Sequence, residues 1–321
     1  LSFDFAIAKH LNAQLFGSYS FTTLENAIFQ PTWTEAQGKM YRRENKNEDF
    51  LGSIQLNYNN TWGAHKLDLI ATAEHQNNRK QFFFTTVKGL ASNAFGYDNL
   101  MVGNIHPYKG TSSGYESPKL TSFMGNLSYT LLNRYALSLT LRADGSTLVG
   151  HNNTWGFFPS TGLEWNLKEE KWLQDVKWLD HLKLQTSVGR SGNLGGILAY
   201  YTQQTLVPSG IISYHGIPTV TLGQIRNANP NLKWETRTSF NLGLKTGLLH
   251  NRIQLYAEYY YSKTTDMLYN YDVSVPPFAF NKLLANIGSM SNSGVEFGLG
   301  LDLIRKKDME LSVNMNLSFQ K

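Results

Sequence analysis

The stretch Asn229–Leu249, NPNLKWETRTSFNLGLKTGLL, alternates with a period of two. Trp234, Thr236, Thr238, Phe240, Leu242 and Leu244 fall on one side, and Glu235, Arg237, Ser239, Asn241, Gly243 and Lys245 on the other. Successive side chains on opposite faces is strand geometry. The alternation suits a soluble sandwich with its apolar face inward, and equally a membrane barrel with that face outward, so the rest of the chain has to decide.

Working outward, the same rhythm recurs in pairs. Leu1, Phe3, Phe5 and Ile7 are followed by Ala13 to Phe21, and Phe50 to Tyr58 by Leu67 to Ala73. Phe123 to Leu131 turns at Leu132–Arg134 into Tyr135 to Ala143. Phe157 to Leu167 leads through KEEKWLQDVKWLDH to Leu182 to Val188, and the opening stretch turns near His250–Arg252 into Ile253 to Tyr261. Val295 to Leu303 and Leu311 to Phe319 close the series across RKKDM. About twelve strands are expected.

The connections alternate in length. Short turns join the members of each pair, whereas polar and aromatic segments at Thr22–Asn47, Asn78–Pro118, Ser191–Lys233 and Ser262–Ser291 separate the pairs, with a shorter one at Gly145–Thr154. Short turns at one end and long loops at the other is the plan of an outer-membrane barrel. The apolar faces run for roughly 9–11 residues, the length that crosses a bilayer at a tilt. Opposite them, Arg142, Asp144, Glu164, Glu235, Arg237, Glu258 and Glu296 are expected to line an aqueous interior. Trp62, Trp155, Trp165, Trp234 and Tyr259–Tyr261 are expected near strand ends, where amphipathic rings favour the lipid–water interface.

Bulk properties agree. The 321 residues are 13% aromatic and only 17% charged, with 17 Tyr and 18 Phe. A formal charge of +5, scattered among both signs, gives no footprint for nucleic acid. There is no cysteine and no run of the roughly 20 apolar residues that a membrane helix requires. A mean hydropathy of −0.34 says nothing against crossing as strands, since averaging hides alternation.

Four stretches go beyond periodicity. LRADGSTLVGHNNTWGFFPSTGLEWNL (Leu141–Leu167) resembles the hallmark segment of SusC-type, RagA-like, TonB-dependent outer-membrane transporters. LKLQTSVGRSGNLGG (Leu182–Gly196), the opening stretch with its continuation to Leu268, and NIGSMSNSGVEFGL (Asn286–Leu299) resemble the blocks that follow in that family, in order and at matching spacing. Thr147 and Leu148 stand where the family usually has Ser and Phe. The resemblance implies an all-β, antiparallel transmembrane barrel with short periplasmic turns and long extracellular loops, in which about twelve strands form part of an expected 22.

On this reading residues 1–321 are a segment of one barrel domain, with the plug, the TonB box and the final strands outside the chain, and the longer polypeptide sits in the outer membrane of a Gram-negative bacterium. The resemblance further implies import of oligosaccharide or peptide nutrients, energised through TonB by way of the region upstream, with outer-membrane lipid around the barrel. A SusD-like surface lipoprotein would cap the mouth, and a dimer of transporter–lipoprotein pairs is compatible with the family. The alternative is a soluble or surface-attached glycan-binding β-sandwich.

No catalytic residue is assigned. The eight histidines never fall at metal-ligand spacing, no GxSxG elbow or phosphate loop occurs, and GRSGNLGG is followed by no helix pattern, so neither metal nor cofactor is expected. A hydrolase would need a nucleophile and base that cannot be placed. Candidate substrate contacts are loop aromatics: Trp33, Tyr41, Phe82, Phe83, Phe84, Tyr97, Tyr108, Tyr115, Tyr200 and Tyr201. Their faces offer large contact at little entropic cost.

Overall fold

The computed structural model describes residues 1–306 and 308–321. In chain order the strands are β1 (Ser2–Ala8), β2 (Leu11–Gln30), β3 (Lys39–Trp62), β4 (His65–Leu90), β5 (Gly103–Ile105), β6 (Thr111–Glu116), β7 (Lys119–Leu131) and β8 (Tyr135–Ser146). They continue with β9 (Trp155–Asn166), β10 (Leu179–Asn193), β11 (Leu206–Tyr214), β12 (Ile217–Gln224), β13 (Glu235–Leu248), β14 (Ile253–Asp272), β15 (Lys282–Lys306) and β16 (Met309–Gln320). Twelve of them follow one another in a single antiparallel path, β1-β2-β3-β4-β7-β8-β9-β10-β13-β14-β15-β16. The short β5 and β6 pair with β4, and β11–β12 form a separate hairpin.

The registers put the apolar series of neighbouring strands on one face. Leu127 lies opposite Leu139, Leu137 opposite Leu163, Phe240 opposite Tyr261, and Leu255 opposite Leu299. Leu137, Leu141, Leu163, Phe240, Leu242, Leu244, Phe297 and Leu317 on this face are exposed, and the one other sheet among the described residues is the two-stranded hairpin. Holding one such side chain in water rather than an apolar medium costs about 1.5–3 kcal/mol. A continuous face of them requires hydrocarbon against it, and the sandwich reading falls.

The turns between paired strands are short because local chemistry makes them so. Gly63, at φ +56°, lets Trp62 and His65 pair across two residues. The longer β9–β10 turn opens with a 3-10 turn at Leu167–Glu169 and is held by Lys168, whose ammonium donates to the carbonyls of Leu173 (3.0 Å), Gln174 (3.1 Å) and Val176 (2.7 Å). At the same turn Glu170 accepts from the Tyr135 hydroxyl and from the Trp165 indole N–H (3.1 Å) and faces Arg134 at 3.5 Å. These bonds, with the Arg134 charge behind them, hold its carboxyl below the usual carboxylate range. The turn expected in RKKDM joins β15 to β16, with Lys307 outside the described residues.

At the opposite end the expected loops shrink. Thr22–Asn47 is not a loop: β2 and β3 stay in register from Thr22↔Asn47 to Gln30↔Lys39, leaving only Pro31–Gly38 to turn. Likewise β4 runs on to Leu90, β14 to Asp272, and β15 starts at Lys282. With 24 and 26 residues, β3 and β4 span about 80 Å, far more than the bilayer needs. Beyond the apolar band the outward face becomes polar, with ion pairs Glu48–Arg79 (3.1 Å), Glu44–Lys46 (2.8 Å) and Glu25–Arg42 (3.6 Å). A small core of Met40, Val87 and Leu90, with Phe29, Leu100 and Val102 against it, secures the tip.

Candidate functional site

The polar face is built by the alternate residues of the same strands. Arg142 and Asp144, two apart on β8, share that face and pair at 2.8 Å, with Ser122 of β7 3.4 Å from the guanidinium and Asp144 buried. Glu164 receives the Lys183 ammonium at 2.8 Å and the Gln185 amide. Arg237 donates to Ser262 at 3.2 Å. Glu258 and Glu296 face each other directly across β14 and β15, and Glu258 accepts from the Tyr256 hydroxyl. Glu235, on the same face as Arg237 by register, accepts the backbone N–H of Leu268 at 3.4 Å. On the same face lies an open recess of about 370 Å³ whose lining includes Ser138, Glu164, Gln185, Ser187, Asn241 and Glu258.

The ten candidate aromatics separate into groups. Tyr41, Phe82, Phe83, Phe84 and Tyr115 lie on strands rather than loops, which corrects their assignment, because the strands continue past the membrane. Tyr41, Phe84 and Phe82 form a ladder, with ring centroids 6.0 and 6.4 Å apart and the Arg43 guanidinium 5.5 Å from Phe82. By register this ladder is on the polar face, while Phe83 is on the other. Three of the remainder are engaged within the protein. Tyr108 donates to the Gly210 carbonyl (3.1 Å), Tyr200 to that of Tyr115 (3.0 Å), and Tyr201 lies under Arg226 at 4.5 Å. Trp33 and Tyr97 are exposed on their loops.

What periodicity missed is a knot at the long-loop end, made where the four recognisable stretches and the residues immediately flanking them meet. Val149, Phe158, Ile197, Leu232, Trp234 and Leu284 are buried against one another. Trp234 belongs here and not at the lipid interface: it meets the Phe158 ring edge-on at 5.4 Å, and its indole N–H donates to the Thr154 carbonyl at 3.3 Å. A β-carbon at Gly192 would collide with the Phe158 ring, so glycine there is a seat for that ring.

Asparagines tie the knot. Asn227 donates to the carbonyls of Phe280 and Lys282 (2.6 and 2.8 Å), and Asn229 to that of Leu284 (2.9 Å). Asn286 donates to the carbonyls of Lys233 and Asp266, both at 2.8 Å, and accepts the Lys233 N–H at 3.0 Å. The only forewarning was the density of asparagine in NANPN, a feature that loops share generally.

All 321 residues match the family described as TonB dependent receptor-like, beta-barrel. The chain belongs to this family. Curated relatives of the barrel include TonB-dependent receptor SusC of Bacteroides thetaiotaomicron, 31% identical over 270 residues, which are 83% of this chain and 26% of that protein. TonB-dependent receptor P26 of Formosa agariphila is 32% identical over 259 residues, 80% of this chain and 26% of the relative. The barrel segment thus spans about a quarter of the length of the curated relatives it matches. Among solved structures, the RagAB peptide importer in its closed-closed state superposes with a TM-score of 0.86 at 22% identity, covering 99% of this chain and 35% of that one, a likeness of fold. As a TonB-dependent receptor barrel the protein resides in the outer membrane of a Gram-negative bacterium, and its short turns face the periplasm.

Proposed function

We propose that the full-length protein imports hydrophilic oligomers, oligosaccharides before peptides, with energy delivered through TonB and a SusD-like lipoprotein over the outer mouth. Pairs of transporter and lipoprotein would associate as dimers. No covalent chemistry is involved. The observation that carries this reading is the continuity of one polar face, from the aromatic ladder of Tyr41, Phe84 and Phe82 to the recess walled by serine, asparagine, glutamine and glutamate.

Aromatic faces stack on the C–H faces of sugar rings, and short hydroxyl and amide side chains exchange hydrogen bonds with sugar hydroxyls without holding them tightly. Such a wall lets a polar chain slide. Arg142, Asp144, Glu164, Glu235, Arg237, Glu258 and Glu296 would line the passage. Peptide is the second cargo, supported by Arg43 beside the ladder, which would hold a carboxylate, and by likeness in fold to a protein described as a peptide importer.

Uptake of labelled oligosaccharides and peptides, compared between cells with and without the full-length protein, tests the proposal. Accumulation that requires the protein and collapses on dissipating the proton gradient is expected. Uptake indifferent to both would refute it.

A further inference from the structure

We propose that the outward face of β10, β13 and β14 carries a binding site for the phosphates of an outer-leaflet glycolipid, with Arg190 and Lys263 as its two cations. The inference depends on the outer-membrane position of the barrel and is independent of the cargo.

The registers fix the place. Val188, Phe240 and Tyr261 form one row across the three strands on the lipid-facing side, and the next row on that side is Arg190, Thr238 and Lys263. Lys263 lies ten residues from the turn end of β14 at Ile253, about 33 Å along the strand at the usual rise. For a strand tilted as in such barrels, that reaches the far edge of an apolar band about 25 Å tall. The row therefore sits at outer-leaflet headgroup level.

The charges there are unmatched. Arg190 and Lys263 are both exposed, and neither is ion-paired among the described residues; the one side-chain hydrogen bond of Arg190 is to the Thr236 hydroxyl at 3.5 Å. The outward series Leu182 to Arg190, Thr236 to Leu248, Ile253 to Thr265 and Ser289 to Leu301 contains no aspartate or glutamate. Just past the apolar band on β3 and β4, by contrast, outward cations have their carboxylates, Arg79 with Glu48 and Lys46 with Glu44.

A pair of cations about 10 Å apart, two strand spacings, at the edge of hydrocarbon is placed so that one anion between or above them meets both. Thr238, Ser291 and Ser293 surround them with hydroxyl donors of the kind phosphate oxygens accept. The anion available at that depth, beside acyl chains lying on Phe240 and Tyr261, is a lipid headgroup phosphate.

The test uses the full-length protein in detergent, titrated with diphosphoryl lipid A, with heat-modifiable gel mobility as the check that each variant is folded. Wild type should bind about ten-fold or more tightly than an Arg190→Gln, Lys263→Gln double variant. The charge-conserving Arg190→Lys, Lys263→Arg variant should bind like wild type, and dephosphorylated lipid A should bind wild type as weakly as the double variant binds diphosphoryl lipid A. Equal affinity of wild type and the Gln variant would overturn the proposal. So would loss of binding in the charge-conserving variant, undiminished binding of the dephosphorylated lipid, or displacement by millimolar inorganic phosphate, which would mark a site for soluble anions.

Discussion

Gly150 and Pro230 meet backbone to backbone: a β-carbon on Gly150 would overlap the Pro230 carbonyl oxygen, and the Gly150 N–H donates to the Leu232 carbonyl at 2.7 Å. Two distant stretches of the chain are locked at this point. The contact is with backbone, which cannot swing aside, so Gly150→Ala must push the NPNLKW segment away and draw the Trp234 indole off the Thr154 carbonyl. Overpacking of this kind costs about 1–3 kcal/mol. Gly150→Ala is therefore expected to lower the denaturant midpoint of the detergent-folded protein, whereas Gly125→Ala, on β7 with open space where the methyl would go, should shift it far less.

Asn286 offers a sharper discrimination. Its amide donates to two carbonyls while its oxygen accepts a backbone N–H; two of the three bonds hold β15 to Lys233, just before β13, and the third holds it to Asp266 of β14. Alanine would leave those groups unsatisfied, at about 1–3 kcal/mol. Aspartate, nearly the same shape, would set a carboxylate oxygen against the Lys233 and Asp266 carbonyls. Urea titration is expected to rank wild type above Asn286→Ala and Asn286→Ala above Asn286→Asp.

The Glu170 clamp sets a pH dependence. The folded carboxyl titrates below its ordinary 4.5, so as pH falls the unfolded turn takes up a proton first. The clamp's contribution is complete above about pH 4.5 and is lost as pH drops through the lowered folded value. A fluorescent probe at Gln174 should report loosening of the β9–β10 turn only below that pH, and Glu170→Gln should abolish the transition.

The ladder should matter to cargo and not to folding. Phe82→Ala with Phe84→Ala removes two stacking faces, each worth on the order of 1 kcal/mol, so uptake affinity should fall about ten-fold or more with unchanged surface expression. Tyr108→Phe, which removes only a loop-to-strand hydrogen bond, should leave uptake near wild type. Unchanged uptake in the ladder variant would take Phe82 and Phe84 off the transport path.

Legibility in the sequence depended on contrast between solvents. Where hydrocarbon lies on one side and water on the other, as along Phe240, Leu242 and Leu244, alternation exposed both the strand and its faces. From Thr22 to Gln30 and from Lys39 to Asn47 both faces meet water, the contrast vanishes, and strands read as loop. Trp234 was misplaced for a different reason. It continues the apolar series of β13 by count but precedes the strand, where the chain has already turned into the knot. The asparagine bonds from Asn227 and Asn229 to β15 and its approach, and from Asn286 to Lys233, join segments more than fifty residues apart, and no local pattern encodes them.

Which solvent touches which face can be measured directly, because the absence of cysteine from these 321 residues leaves no background label in this segment. Nitroxides placed singly at Leu139, Phe240 and Leu299, and at Ser138, Asn241 and Glu296, can be tested in bilayers for collision with lipid-dissolved oxygen and with a water-soluble nickel chelate. Oxygen should dominate at the first three positions and nickel at the second three, switching at each step from Ser138 to Leu139 and from Phe240 to Asn241. Shielding of Leu139, Phe240 and Leu299 from both reagents, as in a dry protein core, would contradict the outward assignment of the apolar face and with it the importer.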